Sequence, residues 1–379
     1  TAVAVAGALI LGLIVFRAAW RKVVAAVVVA TLAVGLSETI AWRTYDSQAL
    51  LTPSFSGSLA LAPKLIGPAQ TAIDRLDDVR AELSRVVTGA IGVYTSIQDV
   101  PQPGVEEIRV LHISDIHLSP LGVSFAQEVA RSFDVDFVLD TGDLTSFGTP
   151  VENSLVLSQV ASFRIPYVYV RGNHDSLALQ ADMERIPGVV VLDGRTKRVD
   201  GLTVYGLGDP VFTPNKLAAV DDARIAEQVR AVGPRILAQV SVLSRPPDIV
   251  AVHDDRMAEA AAGYVPLVVS GHFHQPGARV ENGTLFLRVG STGGAGANVF
   301  TEAGGVPLSA EVLYFSRTSP PQLVAYDQID QSPVSGSLTV RRHLVEQEFG
   351  ELVPTPPSPS PSPTPSPTGS LTPTFTPTM

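Results

Sequence analysis

The stretch VPLVVSGHFHQP, residues 265–276, decides how this chain is read. An apolar run of strand length stops at Ser270-Gly271, and two histidines follow, one residue apart. On an extended segment, side chains at i and i+2 point to the same side. His272 and His274 are therefore expected to share a face, as metal ligands would. A lone histidine beside a core strand is more often structural, and the pair by itself does not separate the two readings. Four other stretches have the same form. IRVLHISD (108–115) is apolar and ends at Asp115, VDFVLDTGD (135–143) ends at Asp143, PYVYVRGNHD (166–175) ends at His174 and Asp175, and PDIVAVHD (247–254) carries His253 at its end.

Helical patterns separate several of these runs, for example over Phe125–Ser132 and Asp222–Leu243. Buried strands alternating with helices imply an α/β sheet. In such sheets ligands bind beyond the carboxyl ends of the strands, where Asp, Asn and His gather here. The later chain is β-rich. RVENGTLFLRV (279–289) predicts a hairpin turning at Asn282-Gly283. Strands near 310–316, 323–327 and 337–346 are expected to complete a second sheet.

Composition bounds the rest. The chain has 379 residues and a formal net charge of −10, which disfavours a nucleic-acid partner held by a basic surface. It has no cysteine, so disulfides, thiolate metal sites and cysteine nucleophiles are excluded. Mean hydropathy is +0.24, and the apolar excess sits at the start. Residues 2–16 and 23–36 are apolar runs, with Arg17, Arg21 and Lys22 between them. Each is near the lower limit of a bilayer span of about 20 residues. The reading is a transmembrane helical hairpin over 1–42. The positive-inside tendency puts its basic turn in the cytoplasm. The expected location is the cell membrane, with everything after Arg43 extracytoplasmic. A cleaved export signal or a buried core hairpin is the competing reading, but a signal's charged leading region is not visible. The sequence starts at Thr1, so further sequence upstream is expected.

A juxtamembrane segment over 43–104 carries one helical pattern, about 69–91, whose apolar residues recur at three- and four-residue steps. PQPG at 101–104 closes it, and an α/β domain is expected over 105–350. The remainder, 351–379, is a Pro/Ser/Thr-rich tail that cannot bury a core and is expected to be extended and disordered.

Together the strand ends present Asp115, His117, Asp143, Asn173, His174, His253, His272 and His274. Five of the seven histidines lie in this set. His112 and His343 are read as structural or surface residues. The ordered pattern Asp115-Ile-His117, Gly142-Asp143, Gly172-Asn173-His174-Asp175, His253 and Gly271-His272-Phe-His274 resembles the calcineurin-like metallophosphoesterase family. The resemblance covers about residues 108–327. It implies two stacked mixed β-sheets flanked by helices, an αββα sandwich, with two divalent metal ions at the strand ends. It implies a hydrolase that cleaves a phosphomonoester or phosphodiester through a hydroxide activated by both metals. Asp143 would bridge the ions. Asp115, His117 and His274 would complete one site, and Asn173, His253 and His272 the other. His174 would face the substrate as the catalytic residue and help protonate the leaving group, a role suited to a pKa near neutrality.

Two cations about 3.5–4 Å apart can clamp the attacking and leaving oxygens of a phosphoryl group, and a shared anionic ligand offsets their repulsion. Mixed imidazole and carboxylate donors suit manganese, iron or zinc better than calcium. Asp175 is a candidate partner for the ligands. Asp140 reads as a strand-end hydrogen-bonding residue.

The sequence departs from the family pattern at GDLTS, where Ser146 stands in a commonly acidic position, and at VHDD around His253. The glycine loop VGSTGGAGAN (289–298) is a candidate lining for the substrate side. The substrate is expected to be a phosphate ester, with lipid-linked phosphates and cell-envelope polymers as candidates. The alternative is a membrane-tethered, non-catalytic binding or scaffold module that keeps the fold. A degenerate module would usually lose one of Asp143, Asn173 and His174, and all three are present.

Overall fold

Period-two alternation builds the middle of the molecule. In a computed structural model, residues 25, 28–29, 31–37, 39, 85–89, 107–213, 222–294, 306–332 and 337–356 are described. Along the strand Ile249–Val252, Ile249 and Ala251 face one apolar cluster, and Val250 and Val252 face another. A strand buried on both faces must be apolar throughout, which is why this run and its neighbours read as continuous.

The strands are β1 (Glu107–Ile113), β2 (Phe137–Asp140), β3 (Tyr167–Tyr169), β4 (Val189–Val191), β5 (Arg195–Val199), β6 (Leu202–Leu207), β7 (Ile249–Val252), β8 (Leu267–Ser270), β9 (Gly277–Glu281), β10 (Thr284–Arg288), β11 (Leu308–Ser316), β12 (Leu323–Gln331) and β13 (Leu338–Leu344). They form a seven-stranded sheet in the order β13-β12-β11-β1-β2-β3-β4 and a six-stranded sheet in the order β5-β6-β7-β8-β10-β9. Both are mixed. β1 to β4 pair in parallel and β11 joins β1 antiparallel. β6, β7, β8 and β10 pair in parallel, while β5 and β9 are antiparallel edges.

One apolar cluster lies between the sheets, with Val110, Phe137 and Val168 from the first and Val204, Ile249, Val269 and Leu285 from the second. Each fully buried side chain of this size contributes about 1.5–3 kcal/mol. Helix α1 (Pro120–Ser132) packs Phe125 and Val129 onto β1 and β11. Helices α2 (Pro150–Val160) and α3 (Leu177–Met183) pack on each other, and α3 also meets β4. The second sheet is covered by α4 (Asp222–Arg230), α5 (Gly233–Ser241) and a 3-10 helix, Asp255–Ala261. A short helix, α6 (Val345–Phe349), follows β13.

Several expectations need correction. The late strands β11 to β13 do not finish the second sheet. They extend the first, because β11 pairs with β1, while the β9–β10 hairpin goes to the second. β4, β5 and β6 lie in a stretch the sequence reading left unassigned. The helical pattern over 222–243 is two helices, broken around Gly233-Pro234, where proline lacks the amide hydrogen a continuous helix would use.

The chain divides into two units, Thr1–Leu76 and Asp77–Met379. In the first unit the described residues, all within 25–39, are helical. Among the described residues no helix is long and apolar enough to cross a membrane. Most of the hairpin over 1–42 and of the juxtamembrane helix lies outside the described residues, as does the tail beyond 356. Residues 85–89 are helical, and Thr88 Oγ1 donates to Glu128 of α1 at 2.5 Å.

Candidate metal centre

The site stands on the loops that leave β1, β2, β3, β7 and β8. Their backbones are zipped together. Asp115 N–H donates to the Gly142 carbonyl (2.8 Å), His117 N–H to Asp143 (3.0 Å) and Leu118 N–H to Leu144 (2.9 Å). Five residues of the expected metal set hold positive φ: Asp115 (56°), His117 (47°), Asp143 (60°), His272 (74°) and His274 (56°). Such conformations are uncommon outside glycine and cost about 1–3 kcal/mol each. That strain is what aims these side chains at shared points.

Here the opening expectation is corrected. β8 ends at Ser270, so His272 and His274 are not on an extended strand and do not share a face. Left-handed residues turn them to different partners. Asp115, His117 and His274 bring donor atoms within 4.8 Å of one another, and Asp143, His253 and His272 form a second such group.

In the first group the Nε2 atoms of His117 and His274 lie 3.1 Å apart. Asp115 Oδ1 is 3.2 Å from His274 Nε2 and 3.7 Å from His117 Nε2. This carboxylate oxygen is buried and has no hydrogen-bond partner. His117 Nδ1 lies 3.1 Å from the Thr145 carbonyl, so the Nδ1 proton is donated there and Nε2 keeps its lone pair toward His274. Lone pairs converging on an orphaned carboxylate oxygen fit a cation.

In the second group His253 Nε2 lies 3.2 Å from Asp143 Oδ2, and also 3.2 Å from His272 Nδ1. Asn173 Oδ1 is 3.0 Å from that same His272 Nδ1. His253 Nδ1 donates to the Thr141 carbonyl at 2.8 Å. His272 is held the other way round, with Nδ1 inward and Nε2 3.6 Å from the Asp254 carboxylate. Arg256 Nε clamps Asp254 at 2.9 and 3.0 Å. The first aspartate of VHDD, Asp254, is thus the anionic neighbour of His272, a role that spacing alone does not reveal.

The electrostatics fit positive charge. Burial pulls the His117 imidazole down, but the neighbouring Asp115 and Asp143 carboxylates outweigh it and hold its pKa up to about 9. Burial also opposes His253, yet Asp143 holds it well above the usual histidine range. Burial pushes Asp143 up, but the His253 charge and hydrogen bond bring it down to about 2. Burial and the His253 charge take His272 down to about 4.

His174 stands beside both groups. Its ring centroid is 5.3 Å from that of His117, and its Nε2 is 3.8 Å from Asp143 Oδ2. Its backbone N–H donates to Asp143 Oδ1 at 2.8 Å, and Nδ1 donates to the Ser146 carbonyl at 2.9 Å. Nε2 is therefore the ring atom turned to the site.

Asp175 is buried beneath the loop. It accepts the N–H groups of Asp143 (2.8 Å) and Thr145 (2.9 Å) and the Tyr169 hydroxyl (2.9 Å). The acid missing at Ser146 is supplied from α2, where Glu152 accepts from the N–H groups of Phe147 (3.2 Å) and Thr149 (2.9 Å). Asp140 accepts from Gly142 N–H and the Tyr167 hydroxyl, as a strand-end residue would. The described part of the glycine loop, residues 289–294, braces the ligand loop. Thr292 N–H donates to Ser114 (2.8 Å) and Gly293 N–H to Asp115 (3.1 Å), and residues 295–298 lie outside the described residues.

His112 is buried between Glu311 and Thr141. His343 stacks on Tyr326. Asp209, outside the set expected from the sequence, is buried after β6, where burial raises its pKa to about 6 against the charge of His253. Its signal is LTVYGLGD (202–209), one more apolar run that ends in an acid.

No curated protein matches the chain. Among solved structures, similarity is found to GAP50, the anchor in the inner membrane complex of Plasmodium (14% identity, 63% of this chain and 88% of that one, TM-score 0.41). It is also found to a novel archaeal phosphodiesterase (11% identity, 62% and 100%, TM-score 0.33). A third is a putative 5′-nucleotidase from Staphylococcus aureus in complex with alpha-ketoglutarate (16% identity, 63% and 54%, TM-score 0.36). The calcineurin-like phosphoesterase family matches residues 108–276, the span that holds both donor groups and His174. Residues 108–276 are accordingly a calcineurin-like phosphoesterase domain.

Proposed function

We propose that this chain is a membrane-anchored, metal-dependent phosphoesterase that hydrolyses a phosphomonoester or phosphodiester. The observation that carries the reading is the pair of donor groups, Asp115-His117-His274 and Asp143-His253-His272, with His174 beside Asp143. Two divalent cations held there would supply charge for the phosphoryl oxygens and lower the pKa of an attacking water. Asp115, His117 and His274 would hold one ion, and Asn173, His253 and His272 the other, with Asp143 shared.

The chain's own part is orientation and proton transfer. Thr145 and Thr141 carbonyls fix the tautomers of His117 and His253. Asp175 fixes the Asp143 loop. The Ser146 carbonyl fixes His174 so that Nε2 can bind a phosphoryl oxygen and give its proton to the leaving group. Membrane anchoring rests on the two apolar runs before Arg43 and the basic residues between them.

The test uses the full chain in detergent. Elemental analysis is expected to find two manganese, iron or zinc ions per chain. Chelation is expected to abolish hydrolysis of 4-nitrophenyl phosphate or its bis ester, and added manganese to restore it. Full metal content without turnover of either ester would instead make the chain a binding module.

A further inference from the structure

Among the described residues, the segments beside His174 expose large apolar side chains and no charged one. Ser146, whose carbonyl holds His174, is followed by Phe147, which is 50% exposed. A Cβ placed on Gly148 would meet the Phe212 ring at 2.8 Å and the His174 carbonyl oxygen at 3.0 Å, so the ring and the histidine backbone both pack against this glycine. Phe212 is itself 49% exposed. The next residue, Thr213, is tied to the site by its N–H on the Asn173 carbonyl at 2.8 Å.

α2 begins two residues after Gly148 and leaves Val151 and Leu155, one turn apart, exposed on one side. Leu177 opens α3 and is also exposed. The two helices are joined there by Asn153 Nδ2 donating to Ser176 at 3.3 Å. Across 146–155, 176–178 and 210–213 there is no lysine or arginine, and the one acid, Glu152, is turned inward onto the Phe147 and Thr149 N–H groups. Exposed apolar surface of this kind, continuous with a site, marks what the site binds.

We propose that this surface takes the hydrocarbon portion of the substrate, which makes the substrate a phosphate ester of a long aliphatic chain, a lipid phosphate. The inference rests on the phosphoesterase reading. His174 Nε2 is the atom placed to meet the ester oxygen, so the organic group of a bound ester extends on the His174 side. There it meets the ring of Phe147 or Phe212. Among the described residues there, a nucleotide would find no basic side chain to bind its further phosphates. The two apolar runs near the start of the chain suit a substrate that resides in a bilayer.

The experiment measures binding of non-hydrolysable alkylphosphonates, from methyl to octyl, to the manganese-loaded full chain in phosphatidylcholine nanodiscs, by calorimetry. On a half-open surface each methylene is expected to tighten binding by about twofold, half the free energy of full burial. That makes octylphosphonate on the order of 100-fold tighter than methylphosphonate. The double variant Phe147→Ser, Phe212→Ser is expected to flatten the series to about tenfold. Partition into the nanodisc is common to both proteins and cancels. Val151→Ser with Leu177→Ser, on exposed helix positions, serves should the first pair fail to fold, and is expected to lower the slope in the same direction. A flat series in the parent chain, or an unchanged slope in a folded variant, overturns the proposal while methylphosphonate binding keeps the phosphoesterase reading. A flat series in which the variants alter the sedimentation of the chain assigns the patch to a second copy and overturns it also. Failure of every phosphonate to bind overturns both.

Discussion

The Asp143 carboxylate and the His174 Nε2 stand 3.8 Å apart, yet their surroundings give them different work. Asp143 is buried, faces His253 and accepts the His174 N–H, whereas the His174 ring is held only through Nδ1 and presents Nε2 to the opening. Asp143→Asn removes the shared negative charge, so metal content and rate are expected to fall together. His174→Ala is expected to leave metal content near the parent value and lower kcat by about 10²–10⁴. The loss should shrink for a nitrophenol leaving group, which needs no proton. Elemental analysis beside kinetics on nitrophenyl and alkyl esters checks this, with thermal melts to confirm folding. Equal rates on an alkyl ester with and without the His174 ring would refute the assignment. The raised His117 supplies a pH prediction. Its metal-free pKa is about 9, against about 6.5 unfolded. A raised pKa stabilises the folded state fully below pH 6.5, and that contribution is lost as pH rises through 9. The metal-free chain should therefore lose stability between those values. Metal binding must displace the proton, so affinity should rise across the same window and protons should be released at neutral pH. Calorimetry of manganese binding in buffers of different ionisation heat reads that release, and none would contradict the assignment.

At the scale of elements, the site depends on loops brought closer than side chains would allow. A Cβ on Gly271 would overlap the Ser114 side chain and the Asp115 carboxylate, and one on Gly172 would overlap Asp143. The glycines before His272 and Asn173 are thus packing requirements of the neighbouring ligand. Gly271→Ala is expected to push Asp115 off the first donor group. Overpacking of this kind costs about 1–3 kcal/mol. The expected result is a melting point lower by several degrees and about one metal ion per chain where the parent has two. Two bound ions with an unchanged melting point would show that the loops can separate without harm. The same crowding explains why His272 and His274 part company. β8 has already ended, and residues at φ 74° and 56° no longer alternate as a strand does.

For the whole molecule, what could be read in advance follows from which interactions are local. The five strand ends were legible because burial on both faces demands continuous apolar runs, and the donors follow them directly. Sheet membership was not, because β11 reaches β1 across about 200 residues and nothing in SAEVLYFS names its partner. β5 was hidden by its own edge position, since RTKRV is mostly exposed and lacks an apolar run. Asp254 and Glu152 support the site through the side chains they meet in space, His272 and the Phe147 loop, which spacing alone does not reveal. The placement of the domain relative to a bilayer is a further whole-molecule property, and it rests on charge asymmetry. Arg17, Arg21 and Lys22 lie between the apolar runs, while Glu38 stands beyond the second run, before Arg43. Basic turns tend to be retained in the cytoplasm, so in the membrane-anchored chain we propose, two crossings would return it to the outer side, with residues from about 43 onward exposed there. Protease added to intact cells is expected to release a fragment that contains residues 108–276 and retains phosphoesterase activity, while a tag placed beside Lys22 stays protected. A domain that survives such treatment intact, under conditions where a known outer-face marker is digested, would place the site in the cytoplasm. The apolar runs would then have to act as an even number of crossings in the opposite sense, or as none.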